Sequence, residues 1–347
     1  VRVLVTGGAG FIGSHAAEFF AKEGNEVLVM DNLSRFTLLR KGEEWQYYNL
    51  EYLRKNYPSI VFIKGDVCDL RELNKVSRDI DLIVHAAAQV AVTTSLVDPL
   101  TDFKINALGT LNVLEFARHN DSVVIFCSTN KVYGENVNKI PIKDLGTRYW
   151  YDDPSYNGGI PETFPIDGGC HTPYGCSKLA ADVYVQDYAH TYGLRTAVFR
   201  LSCIYGERQF GVEDQGWIAH FIKQALLNEP ITVFGDGKQV RDVLYVKDLV
   251  KAINLGFIHN DNIKGEVFNI GGGPENAISI LEALNFIKEL IDHELIIRYA
   301  EWRKADQKVY VSRIKKAYDL LGWKPEVNWR DGIRRLYEWM SNVFRAR

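Results

Sequence analysis

Tyr174 and Lys178 stand four residues apart at the head of a segment with helical spacing, Tyr174–Tyr192. Four residues is one helical turn, so the phenol and the ammonium share one face. An ammonium there draws the phenol pKa down from about 10, which fits tyrosine for taking a proton from an alcohol. Ser128 and Thr129 close the β-branched run Ser122–Ser128 and bring hydroxyls toward the same place. A tyrosine, a lysine and a hydroxyl form an acid/base set for a carbinol undergoing oxidation. YxxxK is common by chance, so its meaning depends on its surroundings.

An oxidant site precedes it. Val1–Thr6 runs into Gly7-Gly8-Ala9-Gly10-Phe11-Ile12-Gly13, followed by helical spacing over Ile12–Lys22. Glycines at 7, 10 and 13 let the turn close and the backbone approach a pyrophosphate, with a helix N-terminus facing the anion. The spacing is GxxGxxG rather than GxGxxG. Asp31 follows the second strand, where a carboxylate accepts ribose hydroxyls and repels a 2′-phosphate. NAD rather than NADP is therefore expected, although Arg35 nearby offers a partner for such a phosphate. Asp66-Val67 closes the third strand, where Asp66 reads equally as an adenine contact or a turn residue.

The elements that must hold these residues alternate regularly. Short β-branched runs at Val1–Thr6, Glu26–Met30, Ile60–Lys64, Asp81–His85, Ser122–Ser128 and Arg195–Leu201 read as buried parallel strands. Helical spacing fills Ile12–Lys22, Asp98–His119 and Tyr174–Tyr192. The pattern predicts an α/β fold, a doubly wound parallel sheet with helices on both faces. Beyond Gly206 the pattern loosens, with short strands at Thr232–Phe234, Val267–Ile270 and Leu295–Tyr299. The expected division is a dinucleotide-binding domain over 1–205 and a smaller α/β substrate lobe over 206–347, with the chain crossing between them. Residues 134–172 carry little periodicity, which predicts a functional lid or a surface insertion.

Hydrophobic residues at 46% and charged residues at 24% exclude a long disordered chain. A net charge of −3 without a basic block gives nucleic acid no footing. No apolar run reaches the roughly 18 residues of a membrane span. The start lacks a basic-then-apolar leader, and Cys68, Cys127, Cys170, Cys176 and Cys203 form an odd set without zinc spacing. A cytoplasmic protein without a metal is expected. His171 reads as a loop histidine or a sugar-pocket residue, and Trp323, Trp329 and Trp339 as core packing.

TGGAGFIG, HAAAQV at 85–90, NALGT at 106–110, STNKVYG at 128–134, YGCSK at 174–178 and GDGKQVRDVLYVKD at 235–248 run in order along nearly the whole chain. In these segments the sequence resembles the extended short-chain dehydrogenase/reductase family acting on nucleotide sugars. STNKVYG, HTPYGCSK, YGERQFGVEDQGW at 205–217 and RKADQKVYVSRIKK at 303–316 resemble its CDP-paratose 2-epimerase (CDP-tyvelose epimerase) branch. The resemblance implies a Rossmann fold, tightly bound NAD, and oxidation then re-reduction at carbon 2 of a CDP-hexose. It also implies a homodimer or homotetramer paired through Asp98–His119 and Tyr174–Tyr192. By position it assigns Thr129, Tyr174 and Lys178 to catalysis. It assigns Gly7, Gly10, Phe11, Ile12, Asp31, Asn32, Ser34, Arg35, Asp66, Val67, Ala86, Ala87, Ala88, Gln89, Asn106, Ser128 and Arg200, with Tyr174 and Lys178, to the cofactor. Gln89, Thr129, Asn130, Cys203, Arg208, Gln209, Gln215, Gln239, Arg241 and Arg303 are assigned to the substrate. Cys203 departs from the asparagine that many relatives carry near the diphosphate.

Three rival functions share this outline. A nucleotide-sugar 4,6-dehydratase needs an Asp-Glu pair after the strand-end threonine, and Asn130 and Lys131 stand there instead. A UDP-hexose 4-epimerase shares Thr, Tyr, Lys and NAD, so the catalytic core leaves it open. A NAD-binding sensor on the same fold is disfavoured by the presence of both Tyr174 and Lys178.

Overall fold

A computed structural model describes residues 1–76 and 79–345. Seven strands form one parallel sheet in the spatial order Val61–Lys64, Glu26–Asp31, Arg2–Thr6, Leu82–His85, Val123–Thr129, Thr196–Leu201, Glu266–Ile270. The central strands are buried along their whole length, Val123–Thr129 at all seven positions. This is why they read as continuous apolar runs rather than alternating ones. Two apolar cores cover the faces, one around Phe20, Val29, Ile125 and Phe199, the other around Leu4, Ile83, Phe126 and Val198. Strand order reverses between Arg2–Thr6 and Leu82–His85, and a crevice opens there at the carboxyl ends of the strands.

The predicted strands appear within one residue of their expected ends, apart from Leu295–Tyr299, which starts two residues later at Ile297, and there are three differences of substance. Val267–Ile270, expected in the smaller lobe, lies in the main sheet and pairs with Thr196–Leu201. The chain therefore returns to the larger lobe after leaving it, a long-range pairing that no local pattern encodes. The segment expected as one helix over Asp98–His119 is helical in three pieces, Pro99–Phe103, a π-helical turn Lys104–Leu108, and Gly109–Asn120. Residues 134–172 are packed structure rather than a lid. They include the hairpin Ile142–Asp144 with Tyr149–Tyr151, and Ile160 bridges to Ser312. Tyr151, Ile160 and Phe164 are buried against Val240, Val309 and Tyr310. These side chains reach the core from turns and short strands, so no helix or strand period marks them.

The smaller lobe builds a second sheet from Cys203–Tyr205, Val240–Tyr245, Ala277–Ser279 and Val309–Tyr310. Helices Trp217–Leu226, Ile280–Leu290 and Trp329–Arg345 cover it. Trp323 and Trp329 are buried core residues, and Trp339 packs edge-on against Phe210.

Candidate active site

The glycine turn forms the floor of the crevice. Gly7 sits at φ +67°, and a Cβ there would come within 2.7 Å of the Ala87 backbone. At Gly13 a Cβ would lie 2.2 Å from the Gly7 carbonyl oxygen, so helix Phe11–Lys22 can rest on the turn only with glycine. Gly7, Gly10, Phe11, Ile12, Asp31, Asn32, Ser34, Arg35, Asp66, Val67, Ala86, Ala87 and Ala88 all line the resulting groove. Asp31 accepts from the backbone N–H groups of Ala9 at 3.0 Å and Leu33 at 2.7 Å. Burial nevertheless pushes its carboxyl above the ordinary value. Asp66 accepts from the Asn32 amide at 2.9 Å. A groove with a glycine floor, a helix N-terminus and a carboxylate has the donors and the space that a dinucleotide's pyrophosphate and ribose need.

The second cavity continues from the first, sharing Phe11, Ile12, Ala86, Ala88, Val90 and Gln215. Ser128, Thr129, Tyr174 and Lys178 line it together, as their spacing predicted. Burial pushes the Tyr174 phenol up to about 12, and the Thr129 hydroxyl bonded to it counters only part of that. Lys178 is also fully enclosed and is pushed down to about 8 by burial. Its ammonium donates to the Cys127 carbonyl at 2.6 Å and lies 4.2 Å from the centre of the Phe126 ring. The shift of the phenol comes from burial, Thr129 and Asp102, and the Lys178 ammonium is held to the sheet at Cys127. Ser128 donates to Asp182 at 2.7 Å, below the helix that carries both catalytic side chains.

Several residues expected at the ligands have their side chains engaged within the protein. Gln89 and Asn106 are buried in a network with Asp102 and Ser177, in which the Asn106 amide donates to Ser177 Oγ at 3.0 Å. Ser177 lies inside the YGCSK turn, so these residues brace helix Thr172–Tyr192 and are not part of the groove lining. Arg200 makes a paired contact with Asp182 at 3.0 Å through both nitrogens and donates to Tyr133. Arg208 is committed to Glu18 at 2.6 Å and to His15 at 2.8 Å, with its guanidinium over the Tyr52 ring. Gln239 donates to the Phe234 carbonyl at 2.7 Å. Sequence gives a residue's type but not the partner that has already claimed it.

Asn130, Cys203, Gln209 and Gln215 do line the second cavity. Gln215 accepts from Arg35 and so ties the cofactor groove to the substrate side. Arg241 donates to Asp306 at 2.7 Å, and Arg303 pairs with Asp214 at 3.2 Å while lying 4.0 Å from the Phe234 ring centre. Trp217 and Gln307 were missed by sequence reasoning, although both fall in quoted segments. Trp217 lines the cavity with its indole N–H toward the Cys203 thiol. Gln307 accepts from the Asn130 amide at 3.2 Å. His171 lines a separate outer groove with Cys176 and Val183.

A family model described as the NAD dependent epimerase/dehydratase family matches residues 3–271. The chain belongs to this family. It is 39% identical to the CDP-paratose 2-epimerase of Salmonella typhi, over 99% of this chain and 100% of that protein. It is 35% identical to a putative UDP-glucose 4-epimerase of Methanocaldococcus jannaschii, over 98% of each chain. A solved UDP-glucuronic acid 4-epimerase from Bacillus cereus, in complex with UDP-glucuronic acid and NAD, superposes with a TM-score of 0.82 at 28% identity. That likeness covers 99% of this chain and 100% of that one. The chain is thus an NAD-dependent epimerase/dehydratase family enzyme, on the isomerase side of that family.

Proposed function

We propose that this epimerase family member inverts carbon 2 of a CDP-hexose of the paratose/tyvelose type, using Thr129, Tyr174 and Lys178. The observation that carries the reading is the strand end Thr129-Asn130-Lys131 beside Tyr174 in one cavity. Full-length similarity to the Salmonella 2-epimerase supports it. When bound, NAD supplies the reversible two-electron oxidation of a sugar carbinol. Thr129 and Tyr174 hold the reacting hydroxyl, and the Tyr174 oxygen takes its proton as the carbinol becomes a ketone. The keto sugar then presents its other face, and Tyr174 returns the proton to the new hydroxyl. Lys178, anchored to the Cys127 carbonyl, fixes the helix face that carries the phenol and binds the nicotinamide ribose. Asn130 gives its amide to Gln307 and Lys131 is a cation, so neither acts as a carboxylate for eliminating water.

The second reading, a UDP-hexose 4-epimerase, draws on the 35% identical Methanocaldococcus relative. A panel of CDP-, UDP-, GDP- and dTDP-hexoses with products resolved by proton NMR separates the two. Inversion at carbon 2 with CDP-sugars is expected. Inversion at carbon 4 of UDP-sugars alone would replace the first reading by the second. We also place the enzyme in the cytoplasm, a reading supported by five free thiols. Among the described residues no helix is long and apolar enough to cross a membrane.

A further inference from the structure

Lys131 lines the second cavity with Arg241 and Arg303 close enough to act on its charge, and of the three it is the most loosely held. Arg241 gives its guanidinium to the Val240 carbonyl at 2.8 Å and to Asp306 at 2.7 Å. Arg303 donates to the Glu213 carbonyl at 2.9 Å and pairs with Asp214. Lys131 has Asp306 at 4.0 Å, beyond hydrogen-bond distance, and no hydrogen-bond acceptor for its ammonium among the described residues. Asp306 is already engaged by Arg241 and by the Gln307 backbone N–H at 3.0 Å. Burial, with Arg241 adding to it, pushes the Lys131 amine below its ordinary value. A half-buried ammonium that lines the cavity and has only this distant carboxylate can turn to an anionic oxygen of a ligand.

Its position says which ligand atoms these are. Lys131 lines the same cavity as Tyr174, and its backbone N–H donates to Thr129 Oγ1 at 3.2 Å. This loosely paired cation thus begins two residues from the hydroxyl that holds the reacting carbinol. In a nucleoside diphosphate sugar, carbon 2 adjoins the anomeric carbon that bears the phosphate, whereas carbon 4 lies across the ring. Presenting carbon 2 to Tyr174 brings the sugar-linked phosphate close to the reacting oxygen. Presenting carbon 4 moves it away.

We propose that Lys131 is a specificity-determining residue that binds the sugar-linked phosphate and so selects carbon 2 for Tyr174. The inference rests on the carbon-2 reading and names the group that enforces it. Arg241 and Arg303, held by Asp306 and Asp214, stand behind it, and Lys131 sets how far the sugar enters.

The test compares nucleotide affinities of the NAD-loaded wild type with Lys131→Met and Lys131→Arg by calorimetry, using CDP and CMP. Lys131→Met is expected to weaken CDP at least about tenfold, the scale of one charge-assisted hydrogen bond, and to leave CMP unchanged. It should also lower kcat/KM for carbon-2 inversion, while Lys131→Arg keeps most of the preference for the diphosphate. Bound NAD and the melting temperature report whether the variant is folded, and Lys131→Gln replaces Met if it is not. An unchanged CDP-to-CMP ratio in these variants would overturn the role of Lys131. Failure of the carbon-2 reading shows separately, as a wild type that inverts carbon 4. In that case selection of carbon 2 falls with it, and the UDP-to-UMP ratio alone decides whether Lys131 holds phosphate.

Discussion

A phenol held at about 12 by burial needs a nearby positive charge to serve as a base at neutral pH. The Lys178 ammonium rests against the Cys127 carbonyl and does not lower the phenol, so the oxidised nicotinamide is the natural source of that charge, and Tyr174 should act only in the loaded enzyme. Tyr174→Phe is expected to retain NAD and lose at least about a hundredfold in turnover, as measured by NMR of the sugar product. Near-normal turnover would remove Tyr174 from the proton path. Asp31 lines the cofactor groove, where a half-buried carboxylate would oppose a 2′-phosphate. Asp31→Ala should weaken NAD binding and narrow its margin over NADP in equilibrium titrations, and an unchanged margin would clear Asp31 of that role. Tyr174, Lys178, Thr129 and Asp31 were legible because spacing alone puts them on a helix face or at a strand end. Gln89, Asn106, Arg200 and Arg208 were not, because their side chains turn to buried partners up to 193 residues away.

Between these residues and the whole molecule stands the segment from Tyr205 to Trp217, which faces both cavities. Arg208, at φ +62°, pins it to helix Phe11–Lys22 through Glu18, and Arg35 holds the Phe210 carbonyl and Gln215. Burial pushes the Glu18 carboxyl up, but Arg208 and Lys22 overcome it and hold the group at about 2. Its folded pKa thus lies below the ordinary value of 4.5. The stability it contributes is complete above that value and is lost as pH falls through about 2. Glu18→Gln should therefore cost about 2 kcal/mol at pH 7, after allowance for solvent screening of a partly exposed pair. In urea unfolding the gap to wild type should close as the pH falls from 4.5 toward 2. A gap independent of pH would mean that Arg208 holds the segment by stacking on Tyr52 alone. At this scale the strands were legible, since their apolar runs match burial on both faces. The π turn at Lys104–Leu108 and the packing of residues 134–172 were hidden, because each is fixed by distant partners rather than by a local period.

At the scale of the whole molecule, exposed apolar side chains gather on two neighbouring helical stretches. Leu96, Val97, Leu100 and Phe103 are exposed on consecutive helical turns, and Val183, Tyr184 and Tyr192 are exposed on helix Thr172–Tyr192. The two stretches pack side by side, and a shallow groove lined by Leu179, Ala180, Val183 and Tyr184 runs along the second. Scattered apolar residues on a surface need no explanation, but a contiguous set on adjacent helices suits an isologous contact. A second copy related by a two-fold axis would bring the same helices together as a four-helix bundle, the arrangement that the family resemblance implies. Because helix Thr172–Tyr192 also carries Tyr174 and Lys178, pairing there would stiffen the catalytic wall as well as hide apolar area. Light scattering of the wild type at micromolar concentration should give at least twice the 39.5 kDa chain mass. Val183→Glu places a charge in the middle of that face and should shift the mass toward a single chain, with turnover falling in step. A wild-type mass of one chain would mean that this face stays in water.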